Sequence, residues 1–179
     1  MTRTPPATIT AFSPEAVAAR IAEFGALLHA CVAAGASVNF VMPFTQDDAR
    51  AYWRDKVLPP LRAGTRTVLA AQVDGRLAGS VQLSTDTPPN QPHRGEVTKL
   101  LVHPDFRRRG IARTLMVALE ALAREKGRRL ITFDTTTGGA AEPLYTSLGY
   151  ISVGVIPDYS LHALQPGHFE ATTVMYKLL

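Results

Sequence analysis

The sequence predicts a mixed α/β fold in which one central sheet of about seven strands is layered with about four helices. Three observations carry this. First, two β-branched apolar runs, Thr65–Val73 and Arg76–Ser84, are joined by Asp74-Gly75, the strongest short hairpin signal a sequence offers. Second, Val17, Ile21, Phe24, Leu27, Leu28 and Cys31, and again Ile111, Leu115, Leu119 and Leu122, recur at helical spacing and mark amphipathic helices. Third, helical and strand-like segments alternate through the C-terminal half. The 179 residues fit one domain, residues 1–179 with its core from about residue 7.

Taken in order, Ala7–Phe12 reads as a first strand. Ser13-Pro14-Glu15 then supplies a cap, a proline at the first helical position and an acid in the first turn. Cys31 belongs to the core face of the helix that follows. Thr45-Gln46-Asp47-Asp48 opens a second helix, which ends before Pro59-Pro60. Tyr52 and Trp53 lie in it, as core or as a wall of a substrate cleft. After the hairpin, Thr85–Gly95 contains three prolines and is a loop. Glu96–Val102 is a strand with Val97 and Leu101 on one face and Leu100 and Val102 on the other. Arg109–Lys126 is a helix ended by Gly127. Leu130–Asp134 is a buried strand, Ala140–Leu148 a short helix closed by Gly149, and Tyr150–Ile156 and Thr172–Leu178 are the last two strands.

Composition excludes several classes. With 46% hydrophobic residues the chain fills an ordinary core. No apolar stretch is long enough for a membrane helix, and the N-terminus lacks the pattern of a secretory signal. A single cysteine forbids an internal disulfide and points to a reducing cytoplasm. Five scattered histidines and one thiol give no metal-site spacing, so no metal is expected. The net charge is +4, but nine Lys/Arg and three acids fall within Lys99–Arg129, while the remainder is net acidic. Phe106 is the only aromatic residue in that window, so it offers no stacking platform for bases, and nucleic acid is not the expected partner.

The informative stretch is His103-Pro104-Asp105-Phe106-Arg107-Arg108-Arg109-Gly110-Ile111-Ala112-Arg113, where a strand runs through a short loop into a helix. The first helical N–H groups have no intrahelical partner, and the dipole end is positive. Such an end takes phosphate oxygens, and arginines add forked donors. The rival reading is a plain basic helix start. There is no Walker lysine and no second glycine for a dinucleotide fingerprint.

Val102-x-Pro104-x-x-Arg107-x-x-Gly110-x-Ala112 resembles the acetyl-CoA signature of the GNAT acetyltransferases. Ala141-Glu142-Pro143-Leu144-Tyr145-Thr146-Ser147-Leu148-Gly149-Tyr150 is similar to that family's later A-x-x-x-Y-x-x-x-G-[FY] segment. A helix and a strand separate the two, as in the family. Gly35–Val38, Asp134-Thr135 and Val153–Tyr159 further resemble the tabtoxin-resistance type. One departure is Gly138, where many members carry an asparagine that touches the cofactor arm.

The resemblance implies a mostly antiparallel sheet splayed between strands four and five. It also implies acetyl-CoA as cosubstrate, bound by Arg107, Arg108, Arg109, Gly110, Ile111, Ala112 and Arg113 at the diphosphate and by the backbone of Leu100, Leu101 and Val102 along the pantetheine arm. Direct transfer to an amine needs a base; Glu96 is the first choice and Asp134 the second. Tyr145 occupies the family's general-acid position. Each has a structural rival: Tyr145 as a packing residue, Glu96 as a surface acid, Asp134 as a cap on the turn into Thr135–Thr137. His103, His162 and His168 are weak candidates for chemistry. The acceptor expected is the primary amine of a small, amino-acid-like metabolite or toxin, handled by a cytoplasmic monomer or homodimer. The alternatives are a protein N-terminus or lysine as acceptor, or a non-catalytic CoA-binding sensor.

Overall fold

The computed structural model describes residues 6–179. Seven strands form one sheet: β1 (Thr8–Phe12), β2 (Arg66–Val73), β3 (Arg76–Ser84), β4 (Arg94–Val102), β5 (Leu130–Thr136), β6 (Ile151–Leu161) and β7 (Phe169–Leu178). Their spatial order is β1-β2-β3-β4-β5-β7-β6. Every pairing is antiparallel except β4 with β5. The hairpin turn forms where expected, with Asp74 and Gly75 at φ 49° and 76°. Both signs match the primed turn that follows the right-handed twist of paired strands.

The first helical region holds a break the periodicity did not reveal. It divides at Arg20 (φ −112°, ψ 24°) into α1 (Pro14–Ala19) and α2 (Ile21–Ala33). The Ser13 hydroxyl caps α1 by accepting from Ala16 N at 3.1 Å. Arg20 is held at the break by a forked pair with Glu23 (2.8 and 2.6 Å). The second region opens at Thr45, as the sequence predicts, and a capping box between Thr45 and Asp48 holds its first turn. It does not end before Pro59-Pro60. After α3 (Gln46–Tyr52), a π-helical stretch, Trp53–Val57, resets the hydrogen-bond register, and α4 (Leu58–Arg62) begins with Pro59 in its first turn. Those first-turn positions have no intrahelical N–H bond to lose, so proline is tolerated there. On the other side lie α5 (Ile111–Glu125) and α6 (Glu142–Ser147).

Two apolar layers sandwich the sheet. Phe24, Leu27, Leu28, Cys31, Trp53 and Val57 from the N-terminal helices pack on Val68, Ala70 and Leu101. Ile111, Leu115, Met116 and Leu119 of α5 pack on Leu69, Val81, Leu83, Val97 and Ile131. Trp53 is thus core, whereas Tyr52 sits at the core's margin. A Cβ on Gly79 would lie 2.6 Å from the Leu101 carbonyl oxygen and 3.3 Å from Ile111 and Leu115, so glycine allows α5 this close an approach. Burial holds the Cys31 thiol protonated, pushed up to about 11, which removes it as a nucleophile. Among the described residues no helix is long and apolar enough to cross a membrane.

β4 departs from simple alternation. Ser80 pairs Leu101 while Gln82 pairs Thr98, so β4 carries a bulge at Lys99–Leu100, with Lys99 in the left-handed region (φ 52°). The expected shared face of Val97 and Leu101 is therefore corrected. Val97 faces the α5 layer, and after the bulge Leu101 faces the α2 layer. The strand also starts two residues earlier than expected. At the C-terminal end β6 and β7 are longer, because the hairpin between them continues to Leu161 and Phe169.

Candidate active site

β4 and β5 pair over only three residues, Arg94–Leu130, Gly95–Ile131 and Glu96–Thr132. Beyond them β4 runs on to Val102 and β5 to Thr136 without pairing, so the sheet opens into a splay. The splay leads directly to the loop ahead of α5. That loop contains a short 3-10 turn, Pro104–Phe106, and two left-handed residues, Arg108 (φ 64°) and Gly110 (φ 76°). Gly110 is the N-cap of α5 with no side-chain cap, and Thr114 N is the first amide to bond back to its carbonyl (3.1 Å). The N–H groups of Ile111, Ala112 and Arg113 thus emerge at an uncapped helix end. A Cβ on Gly110 would meet nothing within 4 Å. An open, donor-lined cradle beside a positive dipole end suits a diphosphate.

The arginines around it are held differently. Arg109 Nη2 donates to Asp105 O at 3.1 Å and Arg113 Nη2 to Ser147 Oγ at 2.6 Å, which ties α5 to α6. Arg107 stays exposed and reaches back to the end of β4: its Nε donates to Val102 O at 3.4 Å, the same carbonyl that Cys31 Sγ approaches at 3.4 Å. Leu100, Leu101 and Val102 form the splayed end of β4, with the Leu101 carbonyl turned to β3. No sequence signal foretold the contact of Arg107 with the Val102 carbonyl.

The three catalytic candidates divide between the two faces of the sheet. Tyr145 lies in the α5 layer, with its ring 4.5 Å from Phe133 and 6.1 Å from Tyr150. It is 6% exposed, and burial raises its phenol well above the ordinary tyrosine range. Glu96 and Asp134 lie on the opposite face. Glu96 is the residue of the last β4–β5 pair, opposite Thr132. Asp134 is two residues beyond Thr132 and so on the same face, at the mouth of the splay. Glu96 stands 3.5 Å from Arg94, which itself donates to Thr132 Oγ1 (2.8 Å) and Gln91 Oε1 (2.7 Å). Asp134 Oδ2 shares the single Thr172 hydroxyl proton with Thr135 O (2.8 and 2.9 Å), which orients the carboxylate and leaves Oδ1 uncommitted. Gly138, at the position of the departure, is φ +70° and donates its N–H to Glu142 Oε2 at 2.6 Å.

Lys99 is a site residue the sequence reading missed. Its ammonium lies 5.5 and 5.7 Å from the ring centres of Phe40 and Tyr52. Burial first, and then the Arg66 guanidinium, lower it to about 8, while Asp134 opposes that shift. An unfolded lysine keeps its proton to ~10.4. Between those values the unfolded chain binds more protons, so stability rises with pH through that window. The melting temperature of the wild type relative to Lys99→Met should therefore increase from pH 8 to pH 10; a constant difference would contradict the burial of this cation. A lysine directly before the apolar run Leu100-Leu101-Val102 was the available signal. His162 and His168 meet edge to face, with ring centres 5.8 Å apart, at the β6–β7 turn. That turn meets the loop after α2 through Met42 N and Ala163 O (2.8 Å). Among the described residues no cluster of three or more His, Cys, Asp or Glu is placed to hold a metal ion.

The family model of the acetyltransferase (GNAT) family matches residues 36–150. An uncharacterized N-acetyltransferase of Azospirillum brasilense is 32% identical over 114 residues, which covers 63% of this chain and 66% of that protein. The chain thus matches just under two thirds of that relative's length. Among solved structures, an acetyltransferase from Salmonella typhimurium, determined with its cofactor acetyl-CoA, superposes with a TM-score of 0.78 at 19% identity, covering 98% of this chain and 95% of that one. The ribosomal-protein-alanine N-acetyltransferase of Brucella melitensis gives 0.75 at 21%, over 96% and 99%. The splayed sheet, the open helix start and the family match converge: the chain belongs to the GNAT acetyltransferase family.

Proposed function

We propose that the protein transfers an acetyl group from acetyl-CoA directly to the primary amine of a small, amino-acid-like molecule, such as a metabolite or a toxin. The observation that carries this is the splay between β4 and β5, with a donor-lined helix start at one end and two carboxylates at its mouth. The Salmonella neighbour's acetyl-CoA supports the choice of donor. The diphosphate would be held by the amides at Gly110–Arg113 and the surrounding arginines, and the pantetheine arm by the free edge at Leu100–Val102. Bound there, acetyl-CoA would supply a thioester, an acyl donor already activated toward amines.

The protein's own groups do the rest. Glu96 or Asp134, directly or through water, accepts the proton that makes the amine nucleophilic. Tyr145 donates its hydroxyl proton to the sulfur as the C–S bond breaks. Because the acid is on the α5 face and the carboxylates on the other, donor and acceptor approach from opposite sides and meet in the gap. Glu96→Gln and Asp134→Asn should each lower kcat/KM for the amine, the true base by ~10²–10⁴-fold, and leave CoA affinity unchanged. The wild type should hold its rate to lower pH than the variant that lacks the base. Full activity of both variants on the best amine would remove these acids from the reaction.

A peptide N-terminus is the second reading, favoured by the fold shared with the Brucella enzyme. A thiol-release assay that sets amino acids against peptides with acetyl-CoA separates the two.

A further inference from the structure

We infer that the acceptor carries a carboxylate as well as its amine, and that Lys99, Arg66 and Gln82, walled by Tyr52, form the subsite that binds it. The inference rests on the small-molecule reading above and specifies its substrate class.

The register assembles this cluster. Arg66 pairs Ser84, which pairs Glu96; Val68 pairs Gln82, which pairs Thr98. Paired residues share a face, so Arg66 and Glu96 stand in one row and Gln82 and Thr98 in the next, all on the side of the N-terminal helices. The bulge delivers Lys99 to that side as well, under Phe40 and Tyr52. Tyr52 feels both Arg66 and the Gln82 amide, although no well-aligned bond to Gln82 forms. Lys99 feels Arg66 and Asp134. These groups therefore lie together on one face of the sheet beside the splay.

The protein does not satisfy them itself. Gln82 is fully buried, and neither its Nε2 nor its Oε1 has a partner. Thr98 Oγ1 and Arg66 Nε are likewise buried and unpaired. Arg66 uses only Nη1, on Lys56 O at 2.9 Å. Among the described residues no carboxylate comes within 4.0 Å of Lys99 or Arg66. Buried polar groups are normally paired, and two neighbouring cations repel. A carboxylate placed beside them would neutralise the repulsion and use the idle donors of Arg66 and Lys99, with the buried Gln82 amide behind them. A structural role alone would favour apolar residues here, as at Val68 and Ala70 in the same layer. Asp134 lies across the splay on β5, where its carboxylate would face an ammonium, whereas Glu96 already stands 3.5 Å from Arg94. Cations on β2 and β4 and the Asp134 carboxylate on β5 match the two charges of an amino acid.

The test sets common L-amino acids against their α-carboxamides, with acetyl-CoA and free-thiol detection. The comparison is made at equal concentrations of neutral amine, because the amide's amine is the weaker base. For the best side chain, the acid should exceed the amide in kcat/KM by ~10-fold or more. Lys99→Met and Arg66→Met should bring that ratio to within ~3-fold by raising KM for the acid. The KM for acetyl-CoA should stay unchanged, and the rate with the amide should fall less than the rate with the acid. An amide turned over as well as its acid by the wild type overturns the subsite and leaves the acetyltransferase reading intact. So does an unchanged ratio in folded Lys99→Met and Arg66→Met. If those variants do not fold, the wild-type ratio decides alone. Turnover of peptides with neither acids nor amides accepted overturns both readings.

Discussion

Gly110→Asp should abolish CoA binding in a protein that still folds. At φ 76° the position favours glycine, and Asp is among the few side chains that tolerate the left-handed region at modest cost. The new Cβ meets no protein atom within 4 Å. The side chain would instead place a negative charge where a diphosphate would lie. One unit of like charge at ~4 Å, with the effective dielectric of a protein surface, costs about 4 kcal/mol, or ~10³-fold in affinity. Neutralising the helix dipole end adds to this. Titration calorimetry with CoA reads the loss, and circular dichroism confirms the fold. A folded variant with wild-type affinity would mean that the diphosphate does not sit at this helix start.

Tyr145→Phe should lower kcat by ~10²–10⁴-fold and move KM for acetyl-CoA little, since the lost interaction matters mainly in the transition state. The substitution keeps the ring and its packing on Phe133 and Tyr150, so the melting temperature should change little. Burial, which raises the phenol, keeps it protonated at every assay pH, as a proton donor requires. The same low-polarity surroundings also disfavour a free thiolate, so the departing sulfur's demand for a proton rises together with the phenol's hold on its own. A variant as fast as the wild type would leave Tyr145 with the packing role alone.

How legible the protein was depends on how local each signal is. The Asp-Gly turn, the Ser13 cap, the helix opening at Thr45 and the helix start around Gly110 each depend on a few adjacent residues, and each formed within two residues of the position read from the sequence. The heptad-like stripe of α5 likewise fixed its buried face. Interruptions were not legible. The break at Arg20 and the π stretch at Trp53–Val57 preserve apolar spacing on both sides, so periodicity passes over them. Pro59 seemed to end a helix only because the register reset ahead of it is invisible in one dimension.

By itself the sequence determined the fold class, the helix start with its run of arginines, and the identities of Tyr145, Glu96 and Asp134 as candidates, because short motifs and hydrophobic period are properties of neighbouring residues. Only the tertiary structure decided which face each candidate occupies. The three-residue pairing of β4 with β5 opens the gap, and the bulge at Lys99 inverts the alternation beyond it. Strand register then lines up Arg66, Gln82 and Lys99, residues drawn from three strands. Such a cluster has no spacing in the chain, since side-chain direction in a sheet follows from pairing, and one inserted residue reverses it.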